Sequence, residues 1–153
     1  MNENEHAVKI EFLVQIKIQK PVAEVFDAVI DPAKLCAYFT SSVTGPLAEG
    51  KIVNWQFSEF PDLDIPVTVL EVRPCELIHF EWPTNQEDYK TTVRMNFEVL
   101  AAQDTRVSVV ESGWHETDKG WEDSYLNCYG WTHMLCCLKA YLEHGINLRA
   151  GSF

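Results

Sequence analysis

GWEDSYLNCYGWTHMLCCLKAYLEHGI, residues 120–146, is the only stretch of this chain long and periodic enough to form a major helix. Trp121, Tyr125, Cys128, Thr132, Leu135, Leu138 and Leu142 recur in it at steps of three and four. That spacing gathers side chains on one helical face. The stripe divides in two. Trp131, Leu135, Leu138 and Leu142 in the second half read as core packing, while Trp121, Tyr125, Cys128 and Thr132 in the first half are aromatic and hydroxyl-bearing, as the wall or lid of a cavity would be.

Upstream of this helix the chain reads mostly as strands. Residues 8–18 place Val8, Ile10, Phe12, Val14, Ile16 and Ile18 at period two, the alternation of a half-buried strand. Pro21 stands at a first helical position, with Val22, Val25, Phe26 and Val29 as an apolar stripe behind it. Asp31-Pro32 reads as an N-cap opening a second short helix, with Leu35, Tyr38 and Phe39 on its apolar side. Residues 40–50 read as a loop and 59–64, EFPDLD, as an acidic loop. Strands are expected at 51–58, 65–72, 76–82, 91–99 and 106–113, each ended by turn residues, which argues an antiparallel meander. The long helix must then cover the concave face, because nothing else is left to bury it. The expected fold is α+β: a curved antiparallel sheet of about six strands wrapping one long C-terminal helix, with two short helices after the first strand. No repeat or linker divides residues 1–153, so a single domain is expected, with its core in about 8–145.

Composition narrows the function classes. A chain of 153 residues can bury roughly 70% of the surface its unfolded form exposes. The formal net charge of −11 opposes phosphate contacts and anionic membrane surfaces, so neither nucleic acid nor membrane is an expected partner. No apolar run approaches a membrane span, and the first residues carry no signal-peptide pattern, so a cytoplasmic location is expected. The five cysteines lack a CxxC pair and metal-ligand spacing. They read as small buried apolar residues, with a reactive thiol as the alternative. No metal or cofactor motif is present: there is no HExxH, no glycine-rich phosphate loop and no nucleophile motif.

Four segments carry a family resemblance: KPVAEVFDAVIDPAKLCAYF (20–39), VLEVRPCELIHFEW (69–82), TRVSVVESGW (105–114) and GWTHMLCCLKAYLEHG (130–145). In this order they resemble the START and birch-pollen-allergen-like superfamily, the helix-grip or SRPBCC fold. Within it they are most similar to the activator of heat-shock-protein-90 ATPase homologue-like family. The resemblance spans about residues 8–145 and is more specific for fold than for activity. It implies an apolar cavity between sheet and helix, since members bind lipids, hormones or polyketides, act as cyclases or hydrolases, or act on chaperones. The chaperone activator itself has a further N-terminal domain that this sequence has no room for, so a chaperone partner is not safely inherited.

The leading reading is therefore binding of a small hydrophobic or amphipathic molecule inside the grip. Glu111 shares the parity of Val107 and Val109 and is expected to point inward, where burial should raise its pKa. A bulge after Val109 turning it outward, or a backbone donor or an arginine satisfying it, is the plainer alternative. Glu111, Tyr125 and Thr132 would orient the ligand, and Trp55, Phe57, Phe80, Trp82, Met95, Trp114 and Trp121 would form the wall, although a filled core explains each ring equally well. Two alternatives stand: a protein-interaction or chaperone-cofactor-like module, and a cyclase- or hydrolase-type enzyme using Glu111 with His115 or a tyrosine. His79 and His133 are expected to face outward, and His6 and His144 suggest nothing. An exposed sheet edge would give a homodimer a pairing surface.

Overall fold

The computed structural model describes residues 8–85 and 88–153; His6 lies outside them. The strand β1 (Glu11–Ile18) is followed by the helices α1 (Val22–Ile30) and α2 (Pro32–Tyr38). Six further strands follow: β2 (Ser42–Val43), β3 (Ile52–Phe57), β4 (Phe60–Arg73), β5 (Leu77–Pro83), β6 (Lys90–Ala101) and β7 (Asp104–Ser112). The long helix α3 (Asp118–His144) comes last. All neighbouring strands are antiparallel, in the order β1-β7-β6-β5-β4-β3-β2, so the first and last strands are paired and the two short helices bridge to the far edge. This is the expected helix-grip architecture, with seven strands instead of six.

Local chemistry explains most boundaries. Pro21 caps α1 from just outside it, and the Asp31 side chain accepts the Lys34 N–H at 3.0 Å to start α2. Along β7, Thr105, Val107, Val109 and Glu111 are buried, and β6 answers with Thr91, Val93, Met95 and Phe97. Two expected loops are partly strand. Ser42–Val43 pairs with β3, and residues 60–64 of the acidic stretch form the start of β4. The side chains of 60–64 are exposed and β2 has only two residues, so no apolar alternation marks either. Pro61 and Pro66 also argue against a strand by composition. However, β4 begins pairing with β5 only at Thr68, so the segment before it is hydrogen-bonded on one side alone, where proline is tolerated.

The larger difference is the rotation of α3. Its buried side consists of Gly120, Asp123, Ser124, Trp131, Met134, Leu135, Cys137 and Leu138. Gly120, Ser124, Asn127, Trp131, Leu135, Leu138 and Leu142 follow steps of four and three, a second stripe the helical period allows equally well. The first-half aromatics lie away from it: Tyr125 is 65% exposed, Tyr129 62%, Leu126 61% and Trp121 38%. The inward expectation for Trp121, Tyr125 and Thr132 is therefore corrected. Small residues face inward here because the chain passes close by. A Cβ on Gly120 would lie 1.8 Å from the His115 carbonyl oxygen. Thr117 caps the helix by accepting the Gly120 N–H at 3.0 Å, and Gly145, at φ 65°, ends it in the left-handed region.

His79 is half-buried among Glu71, Glu81 and Arg94, with its pKa lowered by burial first and by Arg94 second. His133 is half-buried under Phe153, rather than exposed, with ring centroids 5.4 Å apart. Of the cysteines, Cys137 is buried and Cys136 exposed. No helix among the described residues is long and apolar enough to cross a membrane.

Gly120→Ala should test the close approach at the start of α3. The backbone has to move, and overpacking of this kind costs about 1–3 kcal/mol. A urea titration should show that loss, and unchanged stability would contradict it.

Candidate functional site

β7 delivers Glu111 to the interior by simple alternation, and the side chain is fully buried. Four donors from three other elements converge on its carboxylate. From β5, Trp82 Nε1 donates to Oε2 at 3.1 Å; from β6, Thr91 Oγ1 donates to Oε2 at 2.8 Å. From α3, Trp131 Nε1 donates to Oε1 at 2.9 Å, and Asn127 Nδ2 lies 3.1 and 3.0 Å from Oε1 and Oε2. An indole N–H can only donate, so each carboxylate oxygen has to accept from one tryptophan. Burial raises the pKa of Glu111, and the hydrogen bonds from Thr91, Trp82, Trp131 and Asn127 restrain that rise. The carboxylate is therefore satisfied by neutral side-chain donors, and not by the backbone donor or arginine that its sequence context allowed for.

Around this cage the rings interlock. Trp82 lies 5.3 Å from Trp131, 5.7 Å from Phe80 and 6.1 Å from Trp55, centroid to centroid. Phe39 joins from the end of α2, 5.7 Å from Trp55 and 6.0 Å from Trp131. Trp55, Phe57, Phe80, Trp82 and Met95 thus sit together on the inner sheet face, where they pack as core. Trp114 is also buried, and the indole N–H groups of Trp55 and Trp114 have no acceptor among the described residues. Tyr125 and Thr132 are not brought to Glu111, and the Thr132 hydroxyl donates to the Cys128 carbonyl of its own helix. Nor is His115, which is exposed, with its ring stacked on Tyr89 at 3.6 Å. That pair borders a small pocket of about 90 Å³ at the start of α3.

A larger pocket, about 270 Å³, opens at the other end of the long helix. Its walls come from the end of α2 (Tyr38, Phe39), the following Thr40 and Ser41, the β3–β4 turn (Ser58, Glu59) and the segment after α3. The last of these contributes Arg149, which is bound to Glu59 at 2.5 Å; both side chains are only 15% exposed. The guanidinium carbon lies 5.4, 5.2 and 4.8 Å from the ring centres of Phe39, Phe57 and Phe153. Phe39 is shared between this mouth and the ring stack of the interior. Of the residues packed around Arg149, the sequence singles out only Phe57 as a wall. Asn127, Thr91, Trp131, Phe39, Glu59 and Arg149 were missed as site residues, because their partners are far away in sequence. The second stripe of α3 is the one local signal that points to Asn127 beside Trp131.

The buried carboxylate carries a pH signature. Because its folded pKa is raised, the native state keeps the Glu111 proton at pH values where the unfolded chain has lost it. Its contribution to stability is thus full below the usual value near 4.5 and is lost as pH rises through the folded pKa. Glu111→Gln should remove this pH-dependent component. It should also set an NH2 group against an indole N–H, costing about 1–3 kcal/mol for the donor left unsatisfied. Urea midpoints measured from pH 4 to pH 8 should show both effects; parallel wild-type and variant profiles would contradict the first.

The sequence model of the family described as Activator of Hsp90 ATPase homolog 1-like protein matches residues 19–143. No curated protein gives a significant sequence match. Among solved structures, protein SSP2350 from Staphylococcus saprophyticus is similar at 27% identity and TM-score 0.77, over 92% of this chain and 96% of that one. The Aha1 dimer from Colwellia psychrerythraea is similar at 20% identity and TM-score 0.73, over 89% and 98%. DynU16, a putative protein in the dynemicin biosynthetic locus, is similar at 22% identity and TM-score 0.78, over 90% of this chain and 48% of that one. Matched over most of its length and folded as a helix grip, the chain belongs to the Activator of Hsp90 ATPase homolog 1-like family.

Proposed function

We propose that this protein binds a small amphipathic molecule at the mouth of the grip, between the end of α2, the β3–β4 turn and the segment after α3. The observation that carries this reading is the pocket beside Phe39. At about 270 Å³ it lies close to the roughly 300–1,000 Å³ range of small-molecule sites, and it combines a ring floor with a few polar groups. Ligand binding in an internal cavity, the reading suggested by sequence, moves outward accordingly. The rings around Glu111 pack on one another, and a ligand entering from the mouth would have to displace Phe39 to pass deeper. Phe39 packs edge-to-face on Trp55, whose N–H has no partner among the described residues.

The enzyme reading has less support. Glu111 is sealed from solvent and His115 pairs with Tyr89 elsewhere. Association with a second copy has an observation in its favour: the exposed Trp121, Tyr125, Leu126 and Tyr129 on the outer side of α3. The Colwellia relative is a dimer. A sheet-edge contact is less favoured, since β2 has two residues and α3 lies against β1, where Lys139 donates to the Lys17 carbonyl.

Native mass spectrometry of freshly purified protein tests both. A non-covalent small-molecule adduct is expected on wild type and should fall at least about tenfold in occupancy for Ser41→Trp, whose indole would fill the pocket. An adduct that survives Ser41→Trp unchanged would contradict binding at the mouth. The same spectrum gives the subunit number, which the outer face of α3 predicts to be two.

A further inference from the structure

We infer that the mouth pocket is a receptor for organic cations, a guanidinium or substituted ammonium group on an amphipathic body, and that Arg149 is its internal occupant. This rests on the mouth being a ligand site and specifies the ligand's charge. The chemistry around Arg149 is that of a cation receptor: ring faces at 5.4, 5.2 and 4.8 Å and the Glu59 carboxylate at 2.5 Å. Ring quadrupoles attract cations, most strongly where water is excluded.

Phe153 belongs to the same segment as Arg149, but Phe39, Phe57 and Glu59 come from other parts of the chain. Phe39 and Phe57 hold each other edge-to-face at 5.0 Å, and Phe39 also packs on Trp55. Glu59 follows β3 at a hairpin turn. These three groups are therefore placed by the scaffold and do not need Arg149 to stay in position. Arg149, by contrast, belongs to the segment beyond Gly145, which is held lightly. Among the described residues, the hydrogen bonds of residues 147–153 run within the segment or back to its neighbour, as in Ala150 N–H to Asn147 Oδ1 and Ser152 N–H to the Arg149 carbonyl, except for Arg149 to Glu59. The other visible tether is the Phe153 ring on His133.

A free cation would exchange one guanidinium-type contact set for another, and the pocket beside Arg149 has room for its body. The tethered arginine competes at an effective concentration on the order of millimolar, as short linkers do. Wild-type affinity should thus be lowered but not abolished, and removing the occupant should raise it. The net charge of −11 adds attraction for cations at long range.

Titrations followed by 1H–15N NMR, on the full chain, can decide the matter. The probes are benzyltrimethylammonium and, as its anionic counterpart, phenylacetate. Arg149→Ala should bind benzyltrimethylammonium at least about tenfold more tightly than wild type, with shifts centred on Phe39, Phe57 and Glu59. Arg149→Lys, which keeps a cation in the cage, should behave like wild type, and adding Glu59→Gln to Arg149→Ala should abolish the gain. If Arg149→Ala does not fold, judged by its spectrum, Arg149→Gln takes its place. No gain on removing Arg149, or equal binding of phenylacetate, overturns the cation assignment. Equal binding of phenylacetate at Phe39 would leave the mouth standing as a ligand site, whereas binding of neither probe to the folded variant would count against both.

Discussion

A carboxylate buried without a cation is held by four neutral donors, and the rest of this structure is arranged around that need. Glu111 cannot leave the interior, because β7 is paired on both sides and its alternation points the side chain inward. Its charge has to be met there by hydrogen bonds, each worth more to a charged group than to a neutral one. Trp82 and Thr91 come from the adjoining strands, but Asn127 and Trp131 come from α3. The rotation of the long helix is therefore tied to the sheet by polar contacts as well as by the Leu135 and Leu138 packing below. Once Asn127 and Trp131 face Glu111, Tyr125 and Tyr129 have to face solvent.

The same constraint shapes where a ligand can go. With Trp131 drawn onto the carboxylate, it meets Trp82, and the rings continue through Trp55 and Phe39 to Phe57. These rings pack across the space that helix-grip proteins are expected to leave open, with Phe39 and Phe57 at their outer end. The recess that remains lies outside them, under the segment after α3. The buried centre and the mouth are thus two ends of one aromatic stack, the first anchored by a negative charge and the second capped by a positive one.

Much of the fold was legible in the sequence because period-two alternation is a direct record of burial. β1, β3, β5, β6 and β7 all carried it, and the inward parity of Glu111 followed from Val107 and Val109. The start of β4 left no such record, since its exposed acidic residues and two prolines are paired through the backbone on one side only. In α3 two stripes obeyed the helical period, and weighting by hydrophobicity favoured the aromatic one. The polar stripe won because Glu111 needed donors, a requirement visible only once β7 and α3 are placed together. The Arg149 cage was not legible for a related reason. Phe39 and Phe57 are legible only as apolar positions of their own elements, and Glu59 and Arg149 lie in a turn and a terminal segment that carry no periodic signal.

The central claim is that donors to Glu111 lock the helix to the sheet and close the interior. Hydrogen exchange at the Trp82 and Trp131 indole N–H groups reads this most directly, because both protons lie in the contacts at issue. If the cage is closed, both should exchange only through openings close in free energy to global unfolding, with protection that tracks stability across a urea series. Fast, urea-independent exchange at either indole in the native protein would contradict the account and reopen the interior as a place for a ligand.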